Sequence, residues 1–261
     1  MPQFTDQTGY SFVLVDKPIR IISTVPSQTE LLFDLRLGDL VVGVTAYCVH
    51  PKSALKPKAI IGGTKDLKLE KILTLKPDLI IGNKEENVKE QVEFLRKHVP
   101  VWLSDIESVD DALNMVTAIG SLTKAKSKAD LLVQNIEAQR KELQKLALKK
   151  RVAYFIWKGP MMMAGPHTFI GKMLEECGFE NVAPGNEQRY PQIPFDKISS
   201  LQPDLIILSS EPYAFTAEDA HDMARVAPNA IIKVLDGELF SWYGSRMLKS
   251  FKYFEKLLHN L

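Results

Sequence analysis

Apolar positions along this chain fall into short β-rich runs that alternate with helix-spaced segments, the pattern of an α/β fold. Residues 10–15 alternate with period two, Asp16-Lys17-Pro18 turns the chain, and residues 20–24 form the next strand. Ser27 with Glu30 three positions on reads as a capping box that opens a helix through 31–37, ended by Gly38. Strands are expected at 40–44, 79–82 and 101–103, helices at 69–75 and 88–98, and a proline-rich loop at 47–58. Ser108-Val109-Asp110-Asp111 opens a helix running to 122. From 127 to 148 Leu131, Ile136, Leu143 and Leu146 recur at helical spacing, with no proline between Pro100 and Pro160. A helix of about 20 residues is about 30 Å long, enough to bridge two lobes. The second half predicts strands at 151–157, 205–207 and 231–235, a helix from Thr168 to Gly178, an irregular stretch at 182–194, and a closing helix at 243–258.

One stretch of this pattern occurs twice. Glu70-Lys71-Ile72-Leu73-Thr74-Leu75-Lys76-Pro77-Asp78-Leu79-Ile80-Ile81 returns, 126 positions later, as Asp196-Lys197-Ile198-Ser199-Ser200-Leu201-Gln202-Pro203-Asp204-Leu205-Ile206-Ile207. In each copy an acidic residue opens a helix, the helix stops before proline, and an apolar run follows as a buried parallel strand. Arg20 and Arg151, 131 positions apart, open the strand that leads each copy. The expected fold is therefore two similar lobes, each a mainly parallel sheet flanked by helices, joined by a long bridging helix with a cleft between. The expected boundaries are 1–107 for the N-terminal lobe, 108–150 for the helical linker and 151–261 for the C-terminal lobe.

Composition narrows the function. The 261 residues carry 33 basic and 32 acidic side chains, a net charge of +1, with no basic run, which argues against nucleic acid as a partner. No apolar stretch approaches the roughly 20 residues of a transmembrane helix. The stretch Met1-Pro2-Gln3-Phe4-Thr5-Asp6 lacks the basic and apolar segments of a signal peptide, so a cytoplasmic location stands beside one reached after removal of an export signal. No cysteine suitable for a lipid anchor lies near Met1, and Cys48 and Cys177, the only cysteines, read as free thiols. The nucleophile elbow, phosphate loop, metalloprotease and dinucleotide motifs are all absent, which points to a binding protein rather than an enzyme.

In open α/β sheets ligands gather at the carboxyl ends of the strands. Tyr47, His50, Trp157, Tyr190, Trp242 and Tyr243 fall in loops there or close by, and aromatic faces with few polar tips suit a large flat ligand. Each also has a plainer reading, Trp157 as a core plug and His50 as a solvated loop residue. If His50 faces the cleft it is a candidate axial ligand for the metal of a bound chelate, with Cys48 as a second soft donor. Glu70 and Asp196 occupy equivalent helix starts, where a carboxylate suits the helix dipole; equally, paired acids suit arginines of a two-fold partner.

With these residues placed, the chain resembles the helical-backbone (class III) substrate-binding proteins of bacterial ABC importers, which serve vitamin B12, ferric siderophores and haem. The likeness runs from Phe4 onward through Asp6-x-x-Gly9, Pro18-x-Arg20-Ile21-Ile22-Ser23, Pro26-Ser27-x-Thr29-Glu30-Leu31, Leu69-Glu70-x-Ile72, Leu75-Lys76-Pro77-Asp78-Leu79-Ile80 and Cys177-Gly178-Phe179-Glu180-Asn181. The vitamin B12-binding branch is the most similar, its Trp-Pro-Gln segment matched by Tyr190-Pro191-Gln192. The resemblance implies a periplasmic or cell-surface protein with no intrinsic cofactor. It implies a cobalamin-like corrinoid as ligand and a permease dimer as partner, gripped through Glu70 and Asp196. The chain departs from that branch in having Asn83 where a tryptophan is expected, Trp242 where an arginine is expected and His50 for a tyrosine, and in lacking a cysteine partner for Cys177. These departures keep an iron chelate or haem open as the ligand. An intracellular tetrapyrrole- or metal-handling protein of the same fold is the rival from another class.

Overall fold

A short antiparallel hairpin, β1 (Gln3–Thr5) with β2 (Ser11–Val13), precedes the first of two parallel sheets. That sheet comprises β3 (Ile21–Ser23), β4 (Val41–Val44), β5 (Ala59–Ile60), β6 (Leu79–Asn83) and β7 (Val101–Ser104), in the order β5-β4-β3-β6-β7. Every residue of β3, β6 and β7 is buried, as strands covered on both faces require. The second sheet contains β8 (Arg151–Trp157), β9 (Met162–Met163), β10 (Glu180–Asn181), β11 (Leu205–Ser209) and β12 (Ile231–Leu235). Its parallel order is β10-β8-β11-β12, with β9 antiparallel on β8. The structure, a computed structural model, describes residues 2–185 and 187–261.

The chain divides into two units. The first takes Met1–Ile106, Asp110–Asn135 and Tyr243–Arg246; the second takes Glu107–Val109, Ile136–Trp242 and Met247–Leu261. Helix Lys126–Gln144 passes from one into the other, the long bridging helix that the proline-free stretch predicts. Ile22, Ile72, Ile80 and Val101 form part of the first core, and Phe155, Ile198, Ile206 and Leu208 part of the second. Along the shared helix Ile136 and Leu143 are buried whereas Leu131 is 59% exposed, so the apolar periodicity marks the packed face only in part.

The duplicated sequence builds duplicated geometry. The Arg20 guanidinium donates to the Leu75 carbonyl at 2.7 Å, and Arg151 donates to the Leu201 carbonyl at 3.0 Å. The Arg20 backbone N–H donates to Asp78 at 3.0 Å, and that of Arg151 to Asp204 at 2.7 Å. Lys76 and Gln202, each just before the proline, turn the chain at φ 47° and 48°. Register agrees as well, with Ile21 opposite Leu79 and Val152 opposite Leu205. The arginine closes orphan carbonyls at a helix end, and the aspartate fixes the start of the neighbouring strand. The copies differ in one respect: the first helix, Leu69–Thr74, is α, whereas the second, Phe195–Leu201, is 3-10.

Several local expectations are corrected. Helix Pro26–Asp34 begins with Pro26 in its first turn and has no side-chain cap, so Ser27 and Glu30 form no capping box. Glu30 is instead committed to Arg246, at 2.7 and 3.0 Å, both side chains 6% exposed. A short helix, Lys52–Leu55, interrupts the expected loop at 47–58. The closing helix starts at Met247 rather than at Tyr243. Helix Ala217–Val226, unread in the sequence, carries a true capping box of Thr216 and Asp219. Helix Phe169–Glu176 behaves as read: Thr168 caps it, and Gly178 supplies the left-handed turn (φ 79°) just beyond its end.

Candidate functional site

The loops at the carboxyl ends of the strands differ in chemistry between the two units. In the first, the strand ends are locked by a buried polar network. Thr24 donates to Asn87 at 2.7 Å, and the Gln28 amide donates to the Gly82 carbonyl at 2.9 Å and to Ser104 at 2.7 Å. Asn83 donates to the same Ser104 oxygen at 2.9 Å, and Asn87 donates to the Thr64 carbonyl at 3.0 Å. A network bonded in this way favours one conformation, because breaking any of these bonds would leave a further buried polar atom without a partner, as the Gln28 Oε1 already is. Asn83, where the resemblance expects an aromatic residue, is thus part of the scaffold.

The loop after β4 carries Tyr47, Cys48 and His50. Tyr47 is 63% exposed and lies over Gly63, where a Cβ would sit 3.1 Å from its ring. Its pairing with glycine explains how a tyrosine can lie flat on the surface. His50 is half-buried. Cys48 is buried, its Sγ 3.1 Å from the Thr29 hydroxyl and 3.3 Å from that of Thr45, and burial pushes its thiol pKa up. The Cys48 thiol is thus engaged by the two threonine hydroxyls of its own unit. Among the described residues no group of three His, Cys, Asp or Glu side chains is placed to hold a metal ion, and both cysteines are free thiols.

In the second unit the strand ends are aromatic. Trp157 closes β8, is 40% exposed, and meets Tyr213 edge-on at 5.8 Å; Tyr213 meets Phe215 at 4.8 Å. Tyr190 is 37% exposed. Trp242 and Tyr243, expected to face a ligand, are each only 8% exposed. For Trp242 the physical reason is hydrogen bonding: its indole N–H donates to Glu211 at 3.1 Å. Tyr243 begins the segment that belongs to the first unit and is buried there. Burial raises the Tyr243 phenol pKa, chiefly by desolvation. Burial likewise pushes the Glu211 carboxyl above its ordinary value, while hydrogen bonds from Ser241 and Trp242 pull it back.

Sequence reasoning missed a pocket of about 480 Å³ beside these rings, lined by Lys158, Pro160, Met161, Ile193, Pro194 and Phe195. A smaller one of about 150 Å³ shares Lys158, Met161 and Phe195 with it and adds Phe215 and Met223. The Lys158 ammonium pairs with Asp219 at the rim; this hydrogen bond raises the lysine pKa and holds the aspartate below its ordinary value. The available signal was the run Met161-Met162-Met163 together with Phe195, an apolar residue 39% exposed just before the repeated acid. Glu70 and Asp196 are both exposed, each in the first turn of its helix. Asp196 lies 3.7 Å from its neighbour Lys197, with both side chains largely solvated.

Two parallel sheets, a helix shared by the units, and aromatic loops at the strand ends define a ligand-binding class. The profile of the periplasmic binding protein family matches residues 21–227, and the chain belongs to that family. An ABC transporter substrate-binding lipoprotein of Bacillus subtilis is 25% identical over 94% of this chain and 81% of its own length. A vitamin B12-binding protein of Vibrio parahaemolyticus is 26% identical over 76% of this chain and 74% of its own. A periplasmic haem-binding protein from Roseiflexus shares the fold at a TM-score of 0.79, with 21% identity over 92% of this chain and 98% of its own. The chain is therefore a substrate-binding protein of the ABC-importer type, in a family of binding proteins. Among the described residues no helix is long and apolar enough to cross a membrane.

Proposed function

We propose that the protein captures a planar metal chelate, a cobalamin-like corrinoid first, outside the cytoplasmic membrane and presents it to the permease dimer of an ABC importer. The observation that carries this reading is Trp157: a tryptophan left 40% exposed at the end of a central strand, braced edge-on by Tyr213. Left exposed, it keeps an apolar face available to a flat ligand, and the bracing limits the entropy lost on binding. Tyr47, Tyr190 and His50 add contacts from loops of the same type. In this reading Trp242 and Tyr243, each 8% exposed, add narrow apolar edges rather than open faces. Glu70 and Asp196, exposed at equivalent helix starts, are the acids that arginines of the permease grip.

A haem or ferric chelate is the second reading, favoured by the half-buried His50 imidazole, a ligand type that suits iron. Titration of the purified protein with cyanocobalamin and with haemin, followed in the visible spectrum, decides between them. The corrinoid reading expects saturable binding of cyanocobalamin that survives His50→Ala. A haemin Soret shift abolished by His50→Ala, with no cyanocobalamin binding, replaces it with the haem reading. Binding of neither chelate contradicts both.

A further inference from the structure

We infer that Glu211 is a specificity-determining positioning residue, which fixes Trp242 and turns this edge of the second unit against ligands carrying carboxylates. The inference rests on the proposed role as a chelate receptor for its ligand arm, and on geometry alone for its positioning arm. Glu211 Oε1 accepts from the Ser241 hydroxyl at 2.6 Å and from the Trp242 indole N–H at 3.1 Å. Ser241 ends the short helix Glu238–Ser241 that follows β12 and Trp242 is its C-cap, whereas Glu211 belongs to the loop after β11, so one carboxylate ties together the segments at the carboxyl ends of two neighbouring strands. The tie is reinforced on both sides. Ser210 accepts from the Gly237 N–H at 2.9 Å, and Ser209 donates to the Glu211 carbonyl while accepting from the buried Tyr154 hydroxyl at 3.2 Å. Gly237 must be glycine here, because a Cβ would collide with Ser209 Oγ and the Glu211 side chain.

Two consequences follow for a ligand. Indole has a single polar hydrogen, and Glu211 consumes it, so Trp242 offers a ligand only apolar contact. The carboxylate also lies in the field of Asp236 and Glu238, and its donors among the described residues, Ser241 and Trp242, are uncharged. An anionic periphery, such as the propionates of haem, meets repulsion there, whereas an uncharged corrinoid periphery does not.

The test uses the full chain at pH 7.5 with Glu211→Gln and Glu211→Ala, read by the Trp242 indole 15N–1H resonance and by titration of haemin and cyanocobalamin. Glutamine keeps an acceptor without the charge. The Trp242 resonance is therefore expected to stay near its native position in Glu211→Gln and to move toward the solvent-exposed value in Glu211→Ala. Haemin is expected to bind Glu211→Gln about threefold to tenfold more tightly than the native protein, with cyanocobalamin changed less than about twofold. An indole resonance identical in all three proteins overturns the positioning role whatever binds. Equal effects of Glu211→Gln on the two ligands overturn the charge selection. Absence of binding by either chelate defeats the receptor reading instead, and the resonance still decides whether Glu211 positions Trp242.

Discussion

The two copies of the repeated segment agree at one end of their sheets and diverge at the other. At the amino ends, Arg20 and Arg151 cap the same carbonyls, Asp78 and Asp204 hold the same backbone N–H groups, and Lys76 and Gln202 share one left-handed turn. At the carboxyl ends, the first unit closes over Thr24, Gln28, Asn83 and Ser104, whereas the second sets out Trp157, braced by the half-buried Tyr213 over the buried Phe215. The amino-end geometry is what a βα unit needs to fold, and it tolerates little change. The carboxyl-end loops are free to differ, because the sheet beneath them is already complete. One unit has become a rigid polar frame, and the other carries the larger share of exposed aromatic surface.

The largest effect is expected at the frame. Arg246→Ala strands the Glu30 carboxylate in a site where both partners are 6% exposed, and should cost about 3–5 kcal/mol in urea unfolding. A loss below about 1 kcal/mol would mean that Tyr243–Arg246 is not anchored to the first unit by this pair.

Smaller, and a sharper probe of the duplication, is the left-handed turn. A side chain at φ 47° or 48° is strained by about 1 kcal/mol, so Lys76→Gly and Gln202→Gly should each stabilise the protein by up to that amount, and by similar amounts. A gain at one position only would show that the two turns are not equivalent.

The smallest effect concerns pH. The hydrogen bond from Lys158 holds the Asp219 carboxyl below its ordinary value of 3.8, so the folded state favours the ionised form. The pair therefore adds stability above that pH and loses it as pH falls through the lower, folded value. Asp219→Asn should flatten the acid side of the stability profile below pH about 4, as read by thermal unfolding. An unchanged acid limb would show that the pair contributes nothing.

Much of this was legible in the chain because it rests on short-range physics. The repeat of Pro77-Asp78 as Pro203-Asp204 marked both helix ends and both buried strands, and the proline-free stretch after Pro100 marked the shared helix. Glu30 was misread because a capping box and a long-range ion pair draw on the same side chain, and Arg246 lies 216 positions away. Trp242 and Tyr243 stand beside a glycine in the sequence, yet the Trp242 indole N–H is claimed by Glu211 from the loop after β11, and Tyr243 is buried in the first unit. The pocket at Met161 and Phe195 left only a faint mark, since three segments distant in sequence line it together with its smaller neighbour. Local capping and periodicity carry to the sequence reader; partners chosen across the fold do not.

Calorimetric titration of cyanocobalamin into the native protein and into Trp157→Ala tests the receptor reading most directly. The account predicts saturable binding to the native protein, weakened at least about tenfold when the indole is removed, with the fold intact by circular dichroism. Binding of equal strength in both proteins, or none in either, would contradict it.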